Sequence, residues 1–374
     1  MTLKSLPPLA IGLALAAAFT SAMAQPTLKD TFKGHFHIGA ALNESQFTET
    51  NATQAALIKQ QFNSITPENV MKWAKIQPTP GNFDFDPVDR YVEFGERHGM
   101  FIIGHTLVWH SQTPRWVFEN GRGGPADRDT LLARMSNHIQ TVVGRYQGRV
   151  KGWDVVNEAL NEDGSLRQSP WLKIIGEDYL VKAFEFAHAA DPAAELYYND
   201  FSLENEPKRR GAVALVKKLQ AAGVKIHGLG TQQHVKLDWP TAAQVDDTLT
   251  AFGSLGVKVM VTELDVDVLP SRTRNRTAEV SLRLAADPAL NPYTSDLPAE
   301  AQQVLARRYA EMFAVYLKHA ATLDRVTFWG VTDGDSWLND WPIRGRTAHP
   351  LLFDRSGRPK PAFDAILQTV HTTN

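Results

Sequence analysis

Glu158 and Glu263 each close a run of residues that otherwise reads as a buried strand. The stretch "KGWDVVNEALNEDG" (151–164) starts apolar and β-branched and arrives at Asn157 and Glu158, and "KVMVTELD" (258–265) arrives in the same way at Glu263. An ionised carboxylate at the end of an apolar strand is costly unless the fold gives it a partner or a task. Two such groups facing one another across a cleft can divide the breaking of a glycosidic bond. One protonates the leaving oxygen while the other attacks the sugar or activates water. Repulsion and unequal surroundings push the two pKa values apart, leaving one carboxyl protonated and the other ionised near neutrality. The plain alternative is that each glutamate pairs with a strand-end lysine or arginine; the polar residues at the neighbouring strand ends favour chemistry.

Bringing these residues to one face requires strands that all run the same way. Short β-rich runs at 36–42, 62–69, 101–109, 150–158, 195–200, 226–234, 258–265 and 325–333 alternate with longer segments. Those segments include "TQAALIKQQ", "DTLLARMSNHIQTVVGRY", "GAVALVKKLQAAG" and "AQQVLARRYAEMFAVYLKHA", in which apolar residues recur at three and four. Such alternation specifies parallel strands with crossover helices. Eight strand-plus-helix units predict an α/β protein, a single-domain (β/α)8 TIM barrel, with an open doubly wound sheet as the competing arrangement. In a barrel the strand ends share one mouth. Glu68, Asn69, His105, Trp109, Asn157, Glu158, Asn199, Asp200, Gln232, His234, Glu263, Asp265, Asp333 and the nearby Trp337 then become one cluster. Two connections, 111–129 and 266–300, exceed ordinary loop length and read as functional surface.

The 374 residues carry 39 basic and 41 acidic side chains, a net charge of −2 that exerts no pull toward nucleic acid or an anionic membrane. A neutral partner fits best. Hydrophobic residues at 43% and charged residues at 21% exclude a disordered chain. There is no cysteine, hence no disulfide framework and no thiolate chemistry. The N-terminus "MTLKSLPPLAIGLALAAAFTSAMAQ" has an early lysine, an apolar run and the small-residue pattern Ala22-Met23-Ala24 of a secretory signal peptide. Residues 1–24 are therefore expected to be removed and 25–374 exported as the catalytic barrel, extracellular or periplasmic. A membrane anchor is the alternative, but the apolar core is short for a span.

The motifs "PENVMKW" (67–73), "GHTLVWH" (104–110), "WDVVNEA" (153–159), "YNDF" (198–201), "TQQH" (231–234), "TELDV" (262–266) and "WGVTDGDSW" (329–337) follow one another along the chain. Together they resemble the motif series of glycoside hydrolase family 10, the endo-β-1,4-xylanases. The resemblance implies a retaining enzyme that cuts internal bonds of xylan or xylo-oligosaccharides through a covalent glycosyl-enzyme, with no cofactor and no metal. It implies that Glu158 is the general acid/base and Glu263 the nucleophile, hydrogen-bonded by His234, which Asp265 orients. Asn157 would bond the sugar 2-hydroxyl, and Glu68, Asn69 and Lys72 would grip hydroxyls on the non-reducing side. His105, Trp109 and Gln112 would wall the subsite, with Trp337 over it, and Asn199 and Gln232 complete the substrate-binding set. In "LNDWPIRGR" (338–346) the resemblance suggests that Trp341, and either Arg344 or Arg346, reach toward substrate. A monomer is expected, with no nucleic acid partner and no membrane in the mature form.

Each supporting residue has a plainer reading. Trp153 and Trp329 lie inside strand runs and read as core, whereas Trp109 and Trp337 fall where a pyranose ring can stack. Lys72, four residues after Glu68, suits either substrate or a simple ion pair. His98, His138 and His319 belong to helical segments and read as surface or packing residues. Arg272, Arg274 and Arg276 read as a solvated face. His105, His110 and His234 are a poor zinc set, because no HExxH motif occurs and the histidines stand singly among carboxylates. A β-1,4-glucanase or mixed-specificity enzyme on the same barrel, and a non-catalytic polysaccharide-binding barrel, are the alternatives.

Overall fold

Eight parallel strands close on themselves in the computed structural model, which describes residues 26–271 and 278–372. They are β1 (His37–Leu42), β2 (Ser64–Pro67), β3 (Phe101–Trp109), β4 (Gly152–Asn157), β5 (Glu195–Asp200), β6 (Gly228–Thr231), β7 (Lys258–Asp267) and β8 (Leu323–Phe328). Each pairs with its neighbours in chain order, and β8 pairs with β1, so no edge is left open. This is a (β/α)8 barrel, as the alternation of runs predicts. The segment read as a signal peptide lies outside the described residues, as do Arg272, Arg274 and Arg276.

The barrel interior is filled by large side chains set against small ones. A methyl group at Gly104 of β3 would lie 2.1 Å from Cε3 of Trp153 on β4, and one at Gly152 would lie 2.4 Å from Cε2 of Tyr197 on β5. Glycine is required at both places by this close approach. Trp153 is fully buried, the core position expected of it, and its truncation to alanine is worth about 3–5 kcal/mol. Helices pack outside with one apolar face inward; Asp86–Arg97 buries Val88, Tyr91, Val92 and Phe94. Their starts are marked in the sequence. The Asp127 carboxylate accepts from Thr130 N at 2.7 Å ahead of Arg128–Arg145, and Thr241 with Gln244 forms a capping box ahead of Ala242–Gly253.

Two runs depart from the expectation in ways that move residues of the mouth. The run 226–234 is not one strand: β6 stops at Thr231, the chain turns at Gln233 with φ of 58°, and His234–Lys236 forms a separate short strand beside the end of β7. The run 325–333 starts two residues earlier and leaves the sheet after Phe328, so Trp329 falls at the mouth instead of inside the strand.

Candidate active site

The carboxyl ends of the strands surround a cleft of about 280 Å³. Glu68 and Asn69 reach it just past β2, His105 and Trp109 from β3, Asn157 and Glu158 from the end of β4, Gln232 and His234 after β6, Glu263 from β7 and Trp337 after β8. The mainly apolar strands thus carry polar groups to their last residues because those ends face a common opening.

Both glutamates are almost wholly buried, and their surroundings are unequal. Glu158 accepts from Trp109 Nε1 (2.8 Å), Gln232 Nε2 (2.9 Å) and Asn157 Nδ2 (3.2 Å), three neutral donors. Glu263 accepts from Asn199 Nδ2 at 2.9 Å and from His234 Nε2 at 3.2 Å. The other ring nitrogen of His234 donates to Asp265 Oδ2 at 2.9 Å, and Trp337 Nε1 donates to the same oxygen at 2.7 Å. An imidazole that donates from both nitrogens to carboxylates is a cation. Burial works against that charge, but Asp265 and Glu263 outweigh it and raise the His234 pKa to about 10.

These differences separate the two carboxyls. Burial, reinforced by the charges of Asp200 and Glu263, raises Glu158 to about 7 against the pull of its neutral donors. Burial would raise Glu263 as well, yet the His234 hydrogen bond and the positive charges of His105, His234 and Lys72 hold it below the usual carboxylate value. Near pH 6 one carboxyl of the pair therefore holds its proton while the other is ionised, the division of protonation states that glycoside cleavage uses.

The remaining wall is polar and partly aromatic. The Lys72 ammonium donates to Asn69 Oδ1 at 3.1 Å and lies 5.2 Å from the Trp109 ring centroid, and the cleft side of Gln112 is reached through a backbone φ of 47°. Lys72 makes no contact ion pair with Glu68; burial lowers its pKa while the nearby glutamates oppose the change. His105 Nδ1 meets Asp154 Oδ2 at 2.9 Å, which fixes the ring whose other edge faces the cleft.

Asn199, Asp265, Trp341 and Arg344 do not line the opening, nor do Asp200 and Asp333, which are buried in ion pairs with Lys208 at 3.0 Å and Lys360 at 2.9 Å. Asn199 is completely buried behind Glu263, with its amide donating to Glu263 and Asn157 and its oxygen accepting from Thr262 Oγ1 at 2.6 Å. Asp265 likewise stands behind His234. Trp341 stacks on Trp337 with ring centroids 4.5 Å apart, so it backs the cleft aromatic instead of facing the cleft. Arg344 is exposed and outside the cleft, while Arg346 is buried in an ion pair with Asp267 at 3.1 Å. The sequence reading missed Trp329, Ser111 and the loop residues Ala278, Val280 and Arg283, which all line the cleft. The length of the connection after β7 is the signal that pointed to the last three. His138, read as a surface or packing residue, is buried and stacks on Trp73 with ring centroids 3.6 Å apart.

The model of glycosyl hydrolase family 10 matches residues 27–369. Endo-1,4-beta-xylanase A of Xylanibacter ruminicola is 43% identical over 366 residues, covering 98% of this chain and 99% of that protein. A GH10 endoxylanase retrieved from a sugarcane soil metagenome superposes with a TM-score of 0.89 at 47% identity, covering 91% of this chain and 99% of that one. A variant of TsXylA, described as an intracellular xylanase of Thermoanaerobacterium saccharolyticum and solved with xylotriose, gives 0.79 at 37% identity over 92% of this chain and 98% of that one. On the match to the family model along nearly the whole described fold, the chain belongs to glycosyl hydrolase family 10.

Proposed function

We propose that the protein is an endo-β-1,4-xylanase that hydrolyses xylan with net retention. The observation that carries this reading is the unequal pair at the barrel mouth: Glu158, protonated up to about pH 7 by burial, and Glu263, kept ionised by His234. In the first step Glu263 attacks the anomeric carbon while Glu158 gives its proton to the leaving oxygen. A glycosyl-enzyme ester forms and the leaving chain departs. In the second step Glu158, now ionised, takes a proton from water, which attacks the same carbon and releases Glu263. Asn157, with its oxygen held by Asn199, presents its amide beside both the acid and the reacting sugar. Gln232 and Trp109 hold the acid carboxyl in place, and Glu68, Asn69 and Lys72 supply hydroxyl partners on the cleft wall.

The substrate reading is supported by the xylanase relatives and by a cleft lined by the bulky side chains of Trp337 and Gln112, which would crowd an exocyclic hydroxymethyl group. Reducing-sugar release from xylan, cellulose and mannan in parallel tests it; strong release from xylan is expected, and activity confined to cellulose or mannan, or to none of the three, overturns it. Proton NMR of the first-formed product should show the β-anomer, and an initial α-anomer would rule out direct attack by Glu263. We further propose export after removal of residues 1–24, on the strength of the leader-like N-terminus, since a relative described as intracellular shows that family alone does not decide location. N-terminal sequencing of protein collected outside the inner membrane should begin at Gln25.

A further inference from the structure

Arg167 stands on the connection after β4 and has no part in the reaction steps above, yet its guanidinium joins two walls of the cleft. Nε donates to the main-chain oxygen of Glu158 at 3.1 Å, and Nη1 donates to Glu279 Oε2 at 2.7 Å. The two side chains are 19% and 25% exposed, so the pair is largely removed from water. Glu279 lies on the long connection after β7, whose neighbouring residues Ala278 and Val280 line the cleft. That segment is tied a second time: the Glu279 carbonyl accepts from Trp341 Nε1 at 3.2 Å, and Leu284 N donates to the Pro342 carbonyl at 2.9 Å. Trp341 is the residue that backs Trp337.

The hold on Glu158 matters because its backbone is in the left-handed region, φ 57°, where a glutamate does not rest unaided. Its N–H is satisfied by the Asn199 carbonyl at 2.9 Å, and its C=O is the group Arg167 takes. A planar guanidinium can serve a carbonyl and a carboxylate in two directions at once, which an ammonium cannot do from the same position.

We infer that Arg167 is a positioning residue for proton transfer, locking the backbone of the acid Glu158 to the Glu279 segment, whose neighbours Ala278 and Val280 line the cleft. The inference rests on the assignment of Glu158 as proton donor. Its consequence is specific: loosening the lock harms only those reactions in which the leaving group needs the proton.

The test measures kcat/KM for the full chain and its Arg167→Met, Arg167→Lys and Glu279→Gln variants on two aryl β-xylobiosides. One releases dinitrophenolate, which departs unprotonated, and the other releases phenol, which needs the acid. Arg167→Met is expected to lose about a hundredfold on the phenyl substrate and less than about threefold on the dinitrophenyl one, the size of effect that a displacement near 1 Å produces. Arg167→Lys should follow the same pattern, and Glu279→Gln should lose about tenfold on the phenyl substrate alone. Equal losses on both substrates, the mark of a purely structural role, overturn the inference, as does a phenyl-substrate rate within about twofold of the parent in Arg167→Met. Should Arg167→Met fail to fold, the near-isosteric Glu279→Gln carries the same comparison. Failure of the parent chain to cleave either xylobioside would instead strike at the proposed function itself.

Discussion

Asn199 and Asn157 share a hydrogen bond of 2.9 Å, and that bond joins the surroundings of the two glutamates into one chain. The nitrogen that donates to Asn157 also donates to Glu263, while the Asn157 amide turns to Glu158. A change at Asn199 is therefore felt by Glu263 directly and by Glu158 through one intermediary.

Asn199→Asp places a like charge against Glu263. Like charge disfavours ionisation, so the Glu263 pKa should rise by about one unit or more and the acid limb of the kcat/KM profile should move up with it. In the parent the alkaline limb should fall near pH 7, because Glu158 must be protonated to act and loses its proton there. An acid limb that stays in place in Asn199→Asp, measured between pH 3 and 8, would contradict the hydrogen bond's role.

Removal of the two carboxyls should have unlike effects. Glu263→Ala is expected to lose turnover on every glycoside, since among the described residues no other side chain at the cleft is placed to form the ester. Glu158→Ala should still release a burst of dinitrophenolate from an activated glycoside and then slow, because hydrolysis of the intermediate lacks its base. Added azide should fill the vacated space, restore turnover and yield a β-glycosyl azide. Rescue of Glu263→Ala alone, with an α-glycosyl azide as product, would exchange the two assignments.

Selectivity for xylose over glucose should depend on crowding by Trp337, Gln112 and Lys72, all lining the cleft. A hydroxymethyl group forced into a packed wall costs a few kcal/mol, or roughly a hundredfold in rate. Trp337→Ala should narrow the ratio of kcat/KM on matched aryl xylobioside and cellobioside by about tenfold or more. An unchanged ratio would remove Trp337 from the account of specificity.

His138 connects stability to pH. Burial lowers its pKa to about 3, with the ring stacked on Trp73 and Nδ1 bonded to Gln77 Oε1 at 2.8 Å. The unfolded ring titrates near 6.5, so between those values the unfolded chain holds the extra proton. The contribution to stability is complete above about 6.5 and declines as pH falls toward 3, by up to about 5 kcal/mol. His138→Phe keeps the stack but cannot titrate, and it strands the Gln77 oxygen at a cost of about 1 kcal/mol near pH 7. The drop in Tm between pH 7 and pH 4 should be smaller in the variant; equal drops would show that other groups govern acid sensitivity.

The barrel was legible because each strand run is apolar until its last residues and each helix carries its own start signal, as at Asp127 and Thr241. The gathering of Glu158, Glu263, Asn157, His105 and His234 around one opening follows from strand ends alone. Trp329 was read as core because its side depends on where β8 leaves the sheet, and the departure after Phe328 is a matter of register with β7 and β1. Trp341 and Arg344 could not be sorted by type, since one stacks behind Trp337 and the other turns to solvent through contacts between loops distant in sequence. The partnership of Arg167 with Glu279 spans 112 positions and has no local pattern to announce it.

All five non-glycine residues with left-handed backbone among the described residues, Glu49, Gln112, Glu158, Ser202 and Gln233, lie on connections leaving strand ends at the mouth. The opposite floor has none, and there Lys258 bridges Glu195 at 2.7 Å and Asp324 at 2.9 Å. Each such residue holds roughly 1–3 kcal/mol of conformational strain that glycine would relieve. At Glu158 that relief would delete the proposed proton donor, so selection for heat resistance alone would favour there a sturdier but idle protein. At Glu49 and Gln233 the same exchange would forfeit the ion pairs to Lys59 and Arg97 and the bond from Tyr316, so durability and turnover are in conflict at the acid and not around the whole rim.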